Sequence, residues 1–288
     1  MQNIFIISTG RAASSSMYRY MDEFFELNLP RNKEPHYYLN AKKLKKKPNI
    51  LKKLLTTKKK TYKSLYRNSK VSVDASVGYF FYIDDFLKRS KLDYKNSKII
   101  FLYREPIERA KSLFTKQFIN GYERNLNFKE AFSRKNSKID KNWWQFYYNN
   151  VNYFNNFLKI KQFFKEILVI EFKSYPLFLS KHKSILENFL KLEKKNTKKI
   201  TAVRTNTSNI QNILVYTNFV KFFKKKNKIK NLFKLIKHFI KYMKIILLRI
   251  RMNNANLSIY FQESLSEYRQ LNLYLKNYKI CKGVYIVR

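Results

Sequence analysis

Apolar residues in this chain come in two kinds of run. The first is short and unbroken: Ile4-Phe5-Ile6-Ile7, Ile99-Ile100-Phe101-Leu102 and Ile167-Leu168-Val169-Ile170. Runs of that length read as strands buried on both faces. They predict strands over residues 3–8, 98–103 and 167–172, with a shorter one at Val71-Ser72-Val73-Asp74. The second kind recurs every three or four positions. Met17, Tyr20, Met21, Phe24 and Phe25 predict a helix from Ser14 to Leu27. Similar spacing predicts helices from Tyr79 to Leu87, over the aromatic-rich residues 127–165 (which include Trp143, Trp144, Phe146, Tyr147 and Tyr148), and from Leu177 to Leu190. Pro106 opens a further helix, reaching about Phe118, at a position where its missing N–H costs nothing. Strands alternating with helices predict an α/β fold, a parallel β-sheet flanked by helices on both faces, in a single domain over 1–288.

Two segments depart from this alternation. Residues 41–70 are Lys-rich and read as a helical, solvated excursion. Residues 219–252 read as a basic amphipathic helical segment. Phe233, Ile236, Phe239, Ile240, Met243, Ile246, Leu247 and Ile250 share one face, and Lys234, Lys237, Lys241, Lys244 and Arg251 lie largely on the other. The pattern suits a helix packed on the domain or one that docks on a membrane surface or partner.

Composition narrows the choices. Hydrophobic residues make up 45% of the 288 positions, ample for a core, and 4 Gly with 5 Pro argue against long disordered linkers. Cys281 stands alone, so no internal disulfide forms, and three scattered histidines (His36, His182, His238) predict no structural zinc. The formal net charge is +42, from 61 basic and 19 acidic residues. Such a field attracts polyanions or an anionic membrane face. A codon bias toward Lys would enrich Glu as well, so it does not explain the asymmetry. No basic region precedes the first apolar run, so no signal peptide is read there, and no stretch approaches the ~20 apolar residues of a spanning helix. The expected location is cytoplasmic, with a peripheral place at the inner membrane face as its extension.

Two strand-to-helix turns carry the chemistry. Ser8-Thr9-Gly10-Arg11-Ala12-Ala13-Ser14-Ser15-Ser16 follows the first strand, and Tyr103-Arg104-Glu105-Pro106-Ile107-Glu108-Arg109-Ala110-Lys111-Ser112 follows the third. A helix N-terminus presents free backbone N–H groups and a positive dipole end, which suits an anion. Each turn adds Arg and Ser. The Gly10–Ser16 segment is not a Walker A loop, since it lacks the Gly-Lys-Ser/Thr ending. Arg104 stands at a strand end where a guanidinium can fork onto a phosphate, and Ser112 follows two helical turns later. Two such turns predict a ligand with phosphate at both ends.

Together with Lys33-Glu34-Pro35-His36-Tyr37-Tyr38, these motifs resemble the sulfotransferases that use 3′-phosphoadenosine 5′-phosphosulfate, most of all their bacterial and heparan-sulfate-type branch. The resemblance covers most of residues 1–200 and, weakly, Phe261-Gln262-Glu263-Ser264. It implies a P-loop-nucleotide-kinase-like sulfotransferase fold, that nucleotide as co-substrate, and no metal. Gly10, Arg11, Ala12, Ala13, Ser14, Ser15 and Ser16 match the 5′-phosphosulfate loop, with Arg11 at the bridging oxygen and sulfuryl group. Arg104 and Ser112 match the pair that holds the 3′-phosphate; Arg109, in the same motif, reads equally as a ligand or a packing residue. Glu34 matches the catalytic base. Sulfuryl transfer needs a base for the acceptor proton, and His36 is the second candidate for it. Lys33 joins Arg11 as a donor to the transferring group. Asp74-Ala75-Ser76-Val77-Gly78-Tyr79-Phe80 resembles another family stretch, but Ala75 stands where heparan-type members have Lys, and Ala13 where Gly is commoner.

The expected reaction is transfer to a hydroxyl or amine. The two basic segments point to a glycan or glycolipid acceptor and an anionic membrane surface as partners, and nucleic acid is not expected. Two other readings stay open: a kinase-like nucleotide-binding protein, and a basic membrane- or polyanion-binding module without catalysis, which Ala13 and Ala75 would fit.

Overall fold

The computed structural model describes residues 2–27, 29, 32–39, 58–66, 71–91, 97–119, 123, 127–133, 152–174, 183–193, 240, 243–247, 250–252, 255–258 and 261–288. Its elements in chain order are β1 (Gln2–Ser8), α1 (Ser14–Phe24), α2 (Lys59–Ser64), β2 (Val71–Asp74), α3 (Gly78–Phe81), α4 (Ile83–Ser90), β3 (Ser97–Tyr103), α5 (Pro106–Ile119), α6 (Phe128–Ser133), α7 (Tyr153–Phe163), β4 (Ile167–Glu171), α8 (Lys183–Leu190), α9 (Gln262–Leu275), β5 (Lys279–Cys281) and β6 (Val284–Val287).

The unbroken apolar runs became central strands because both their faces are covered. Side chains alternate across a strand. Phe5, Ile7, Ile99, Phe101, Tyr103, Ile167 and Val169 therefore enter one core with Tyr79, Phe80 and Phe86 of α3–α4, Phe157 of α7 and Leu271 of α9. Ile4, Ile6, Ile100, Leu102, Leu168 and Ile170 enter the other, with Met17 and Met21 of α1 and Leu186 and Leu190 of α8. A third, smaller cluster joins Ala110 and Phe114 of α5 to Phe128 and Phe132 of α6 and to Met252, Leu257 and Phe261.

The sheet order is β2-β1-β3-β4-β6-β5. The first four strands are parallel, with Ser8 beside Leu102 and Tyr103 beside Glu171. The sheet is mixed, however, and not parallel throughout: β6 runs antiparallel to β4, and β5 antiparallel to β6. A parallel strand needs a long crossover, whereas β5 and β6 are joined only by the turn at Lys282-Gly283. Gly283 has φ +69, and a Cβ there would lie 2.1 Å from Ser174 Oγ, so only glycine fits that turn.

Several boundaries differ from the sequence expectation. The first helix ends at Phe24 rather than Leu27 because Phe25 turns extended, which lets Glu26 N donate to Glu193 O at 3.0 Å. The expected helix from Tyr79 to Leu87 is two, parted at Tyr82 with φ −123 and ψ 50. Within residues 41–70, the described helix α2 is packed and not solvated throughout: Tyr62 and Tyr66 are buried, and Tyr66 donates to Val73 O at 2.9 Å. Trp143, Trp144, Phe146, Tyr147 and Tyr148, residues 175–182 and residues 219–239 lie outside the described residues. Among the described residues, no helix is long and apolar enough to cross a membrane.

β1 and β3 are neighbours whose outgoing chains part. The helix after β1 covers one face, while α7, on the way from β3 to β4, covers the other. A parallel sheet opens a crevice beyond its carboxyl edge at such a switch point.

Candidate functional site

The crevice is walled by three segments leaving the carboxyl edge of the sheet. The first is Thr9 to Ser16. Thr9 N still donates to Leu102 O at 3.0 Å, and the backbone then turns through positive φ at Gly10 (78), Arg11 (56) and Ala13 (68). A turn with left-handed residues gathers successive backbone N–H groups into a concavity that suits an anion. Each non-glycine residue in that region costs ~1–2 kcal/mol, and strain of this kind collects at ligand-binding loops. Ala13 is the N-cap of α1 and supplies no capping side chain. The first turn of α1, at Ser14, Ser15 and Ser16, thus opens on the crevice with its backbone N–H groups.

The second segment follows β3. Arg104 N donates to Thr9 Oγ1 at 3.3 Å, its Nη1 to Arg11 O at 3.2 Å, and its guanidinium lies 4.2 Å from the Phe172 ring centre. Glu108, one turn into α5, is 3.5 Å from Arg104 Nη2. Arg104 Nε is buried with no hydrogen-bond partner. From the next turns of α5, Ser112 Oγ accepts from Arg11 Nε at 3.0 Å. Arg11, Arg104 and Ser112 are therefore brought together. Burial, and Arg104 beside it, push the Arg11 guanidinium down to about 10. Arg104 is lowered too, by burial, against Glu108, which pulls it up. Holding two cations together in a half-buried site leaves electrostatic room for an anion.

The third segment is the loop at Lys33 to Tyr38, which runs beside the end of β2. Ala75 N donates to Lys33 O at 3.0 Å, and His36 N to Ser76 Oγ at 2.9 Å. Ser76 is fixed in turn by Asp74, whose Oδ1 accepts from Ser76 Oγ at 2.6 Å and whose Oδ2 accepts from Tyr79 at 2.7 Å. Gly78 lets this loop close: a Cβ there would lie 2.8 Å from Leu39 Cδ1 and 3.1 Å from His36 Nδ1. Glu34 sits between two basic groups, Lys33 Nζ at 2.5 Å and His36 Nε2 at 3.5 Å. Burial works to raise the Glu34 carboxyl, but Lys33 and His36 outweigh it and hold it at about 2. Glu34 keeps 27% of its side chain exposed whereas His36 keeps 4%, so solvent reaches the carboxylate while the imidazole is covered, and Glu34 also acts on Lys116 of α5.

Other residues of the site were not singled out in the sequence. The side chain of Lys116 is exposed, one turn beyond Ser112 on α5, yet enough protein crowds its base to lower its pKa. Arg11 and Lys33 push the same way, and Glu34 opposes them. Its spacing of i+4 from Ser112 is the signal that marks it. Arg109 is 1% exposed and lies under the turn, where it meets Tyr153. Tyr153, from α7, donates to Arg104 O at 2.7 Å and also reaches Thr9. Arg109 thereby packs beneath the two turns, a role that the motif spacing left open. Ala75 is fully buried. Among the described residues no group of His, Cys, Asp or Glu is placed to hold a metal ion.

No family model matches the chain, and no curated protein matches it in sequence. Solved structures do. A sulfotransferase domain from the curacin biosynthetic pathway matches at 17% identity over 71% of this chain and 80% of its own, but with a TM-score of 0.37 that likeness carries no weight. A sulfotransferase from Alicyclobacillus acidocaldarius superimposes with a TM-score of 0.60 at 17% identity, over 90% of this chain and 98% of its own. The mixed α/β fold of this chain, with its helix-flanked sheet, is thus distantly similar in structure to that of a sulfotransferase.

Proposed function

We propose that the protein transfers a sulfuryl group from 3′-phosphoadenosine 5′-phosphosulfate to a hydroxyl of an acceptor. The observation that carries this reading is the meeting of Arg11, Arg104 and Ser112 at the β1–β3 crevice, with Glu34 held between Lys33 and His36 and acting on Lys116 beside it. The Gly10–Ser16 loop would take the 5′-phosphosulfate on its N–H groups and Arg11. Arg104 and Ser112 would take the 3′-phosphate, and the unpartnered Nε of Arg104 supplies a donor for it.

In the reaction, the acceptor oxygen attacks sulfur as its proton passes to Glu34. The bond from sulfur to the bridging oxygen breaks, and adenosine 3′,5′-bisphosphate leaves with that electron pair. Charge gathers on the bridging and equatorial oxygens, so aligned positive donors carry much of the rate. Arg11, Lys33 and Lys116 are suited to this. A carboxylate held at about 2 is a weak base, but the holding charge is mobile: as the phosphosulfate draws Lys33 Nζ away from Glu34, the strongest opposition to burial is removed and the carboxylate becomes more basic. His36 stays covered as the group that orients Glu34. The acceptor class that fits so basic a chain is an anionic glycan or glycolipid.

The test is twofold. Adenosine 3′,5′-bisphosphate at 100 times its dissociation constant should stabilise the protein by ~2.7 kcal/mol, and ATP should not match it at equal concentration. Transfer of labelled sulfate to glycan or glycolipid extracts from the donor should then be seen. Equal stabilisation by ATP would favour the kinase-like reading. Nucleotide binding with no transfer to any acceptor would favour a module without catalysis.

A further inference from the structure

Between Glu193 and Glu263 the sequence holds 17 Lys and Arg residues and no acidic residue. Within that stretch the backbone is helical at Ile240, at residues 243–247 and at residues 250–252. Ile240, Met243, Leu247 and Ile250 are spaced by three, four and three, so they line one face. That face is open: the four are 48%, 39%, 51% and 52% exposed. Lys244 and Arg251 are exposed alongside, while Ile245 and Ile246 are half-buried. The stripe is not a loose end. Met252, at its C-terminal side, is buried in the cluster of Phe114 and Phe261, which ties it to α5, the helix that carries Ser112 and Lys116.

We propose that this stripe docks the protein on an anionic lipid bilayer, with its apolar side chains in the headgroup boundary and Lys and Arg on the anionic headgroups. Charge and apolarity together select this occupant. A soluble polyanion would satisfy the basic residues but gives Ile240, Leu247 and Ile250 no apolar phase to enter. A second copy would set two such basic segments against each other. An anionic bilayer supplies both the charge and the apolar phase. The anchoring of Met252 beside α5 would bring an acceptor carried in that bilayer to the border of the crevice; this last step alone rests on the proposed transfer.

The experiment uses the full chain and vesicles of phosphatidylcholine with or without phosphatidylglycerol. Sedimentation should require phosphatidylglycerol and fade as salt rises. The double variant Leu247→Gln/Ile250→Gln changes no charge and alters only exposed side chains, with an unchanged melting temperature as its control. Its partitioning should fall by about tenfold or more, the worth of withdrawing two large apolar side chains from insertion. A second readout is Cys281→Ser/Leu247→Cys carrying an environment-sensitive fluorophore, whose emission should shift to the blue on phosphatidylglycerol vesicles. Unchanged partitioning of the double variant, or no blue shift, overturns the proposal by leaving only adsorption of a basic protein. It is also overturned if the double variant loses binding to heparin by as much, or turns a dimer into a monomer in sedimentation velocity. Those results give the stripe to a polyanion or to a second copy.

Discussion

Arg11 donates through Nε to the hydroxyl of Ser112 at 3.0 Å, and the two lie 101 residues apart in sequence. With Arg104 Nη1 on the Arg11 carbonyl, the contact closes a ring between the loop after β1 and the helix after β3. Among the described residues no carboxylate pairs with Arg11, and the charge that acts on it most is that of Arg104. Two guanidiniums so placed repel, and their burial adds to the cost. A ligand with phosphate at both ends would relieve both terms. The ring is the physical reason to test nucleotide binding before any acceptor is known.

Arg104→Ala should weaken adenosine 3′,5′-bisphosphate by the worth of a charge-assisted forked contact, on the order of 1.5–3 kcal/mol. Isothermal calorimetry reads this directly. Because Arg104 also stacks on Phe172, its far-ultraviolet spectrum and melting temperature should be measured beside it. Unaltered affinity in a folded variant would remove Arg104 from the site.

Glu34→Gln keeps shape and hydrogen-bonding capacity and removes the base. Turnover should fall roughly 10²–10⁴-fold with donor affinity little changed. His36→Asn should show a smaller loss, since the ring is almost fully covered. If His36→Asn costs as much while Glu34→Gln is tolerated, then His36 is the base and the roles reverse.

Much of the central sheet was legible because β1, β3 and β4 are apolar without a break, as strands covered on both faces must be. The antiparallel end was not read. Gly283, between Lys279-Ile280-Cys281 and Val284-Tyr285-Ile286-Val287, is the one turn residue there that could have marked it. At the site, Arg11, Arg104 and Ser112 could be named from their strand-to-helix turns, since local sequence sets such turns. Their mutual contact could not, because it depends on β1 and β3 lying side by side. Tyr153 went unread for the same reason: what places it against Arg104 O is α7 folding back over β3, and nothing in the residues around it records that. The burial of Tyr62 and Tyr66 was hidden by the lysines around them, which let a segment with one packed face pass for a wholly solvated one.

Ala13→Gly should stabilise the protein. Ala13 holds φ 68 as the N-cap of α1, a conformation that disfavours a Cβ by ~1–2 kcal/mol. Glycine escapes that cost but loses more chain entropy, ~0.5–1 kcal/mol, so the net gain should be about 0.5–1 kcal/mol. Calorimetry should show a small rise in melting temperature. A fall would mean that the methyl of Ala13, packed against the core under α1, is worth more than the strain it carries.

Lys33→Ala should raise the pKa of Glu34 and change the response of the fold to acid. Glu34 is held at about 2, below its ordinary value of 4.5; burial pushes it up, and Lys33 and His36 more than cancel that push. A carboxyl depressed on folding adds stability that is complete above its unfolded pKa and is lost as pH falls through the folded one. In the parent, this contribution should therefore be full above about pH 4.5 and disappear toward pH 2. Removing Lys33 leaves burial opposed by His36 alone, so Glu34 should titrate higher and the slope of stability over that window should flatten. Carboxylate carbon chemical shifts followed by NMR give the titration, and urea melts at successive pH values give the slope. The same withdrawal of charge is what donor binding is proposed to do, by drawing Lys33 Nζ onto the phosphosulfate. Were Glu34 in Lys33→Ala still to titrate at about 2, Lys33 would not be what holds it, and the proposed gain of basicity on donor binding would have no source.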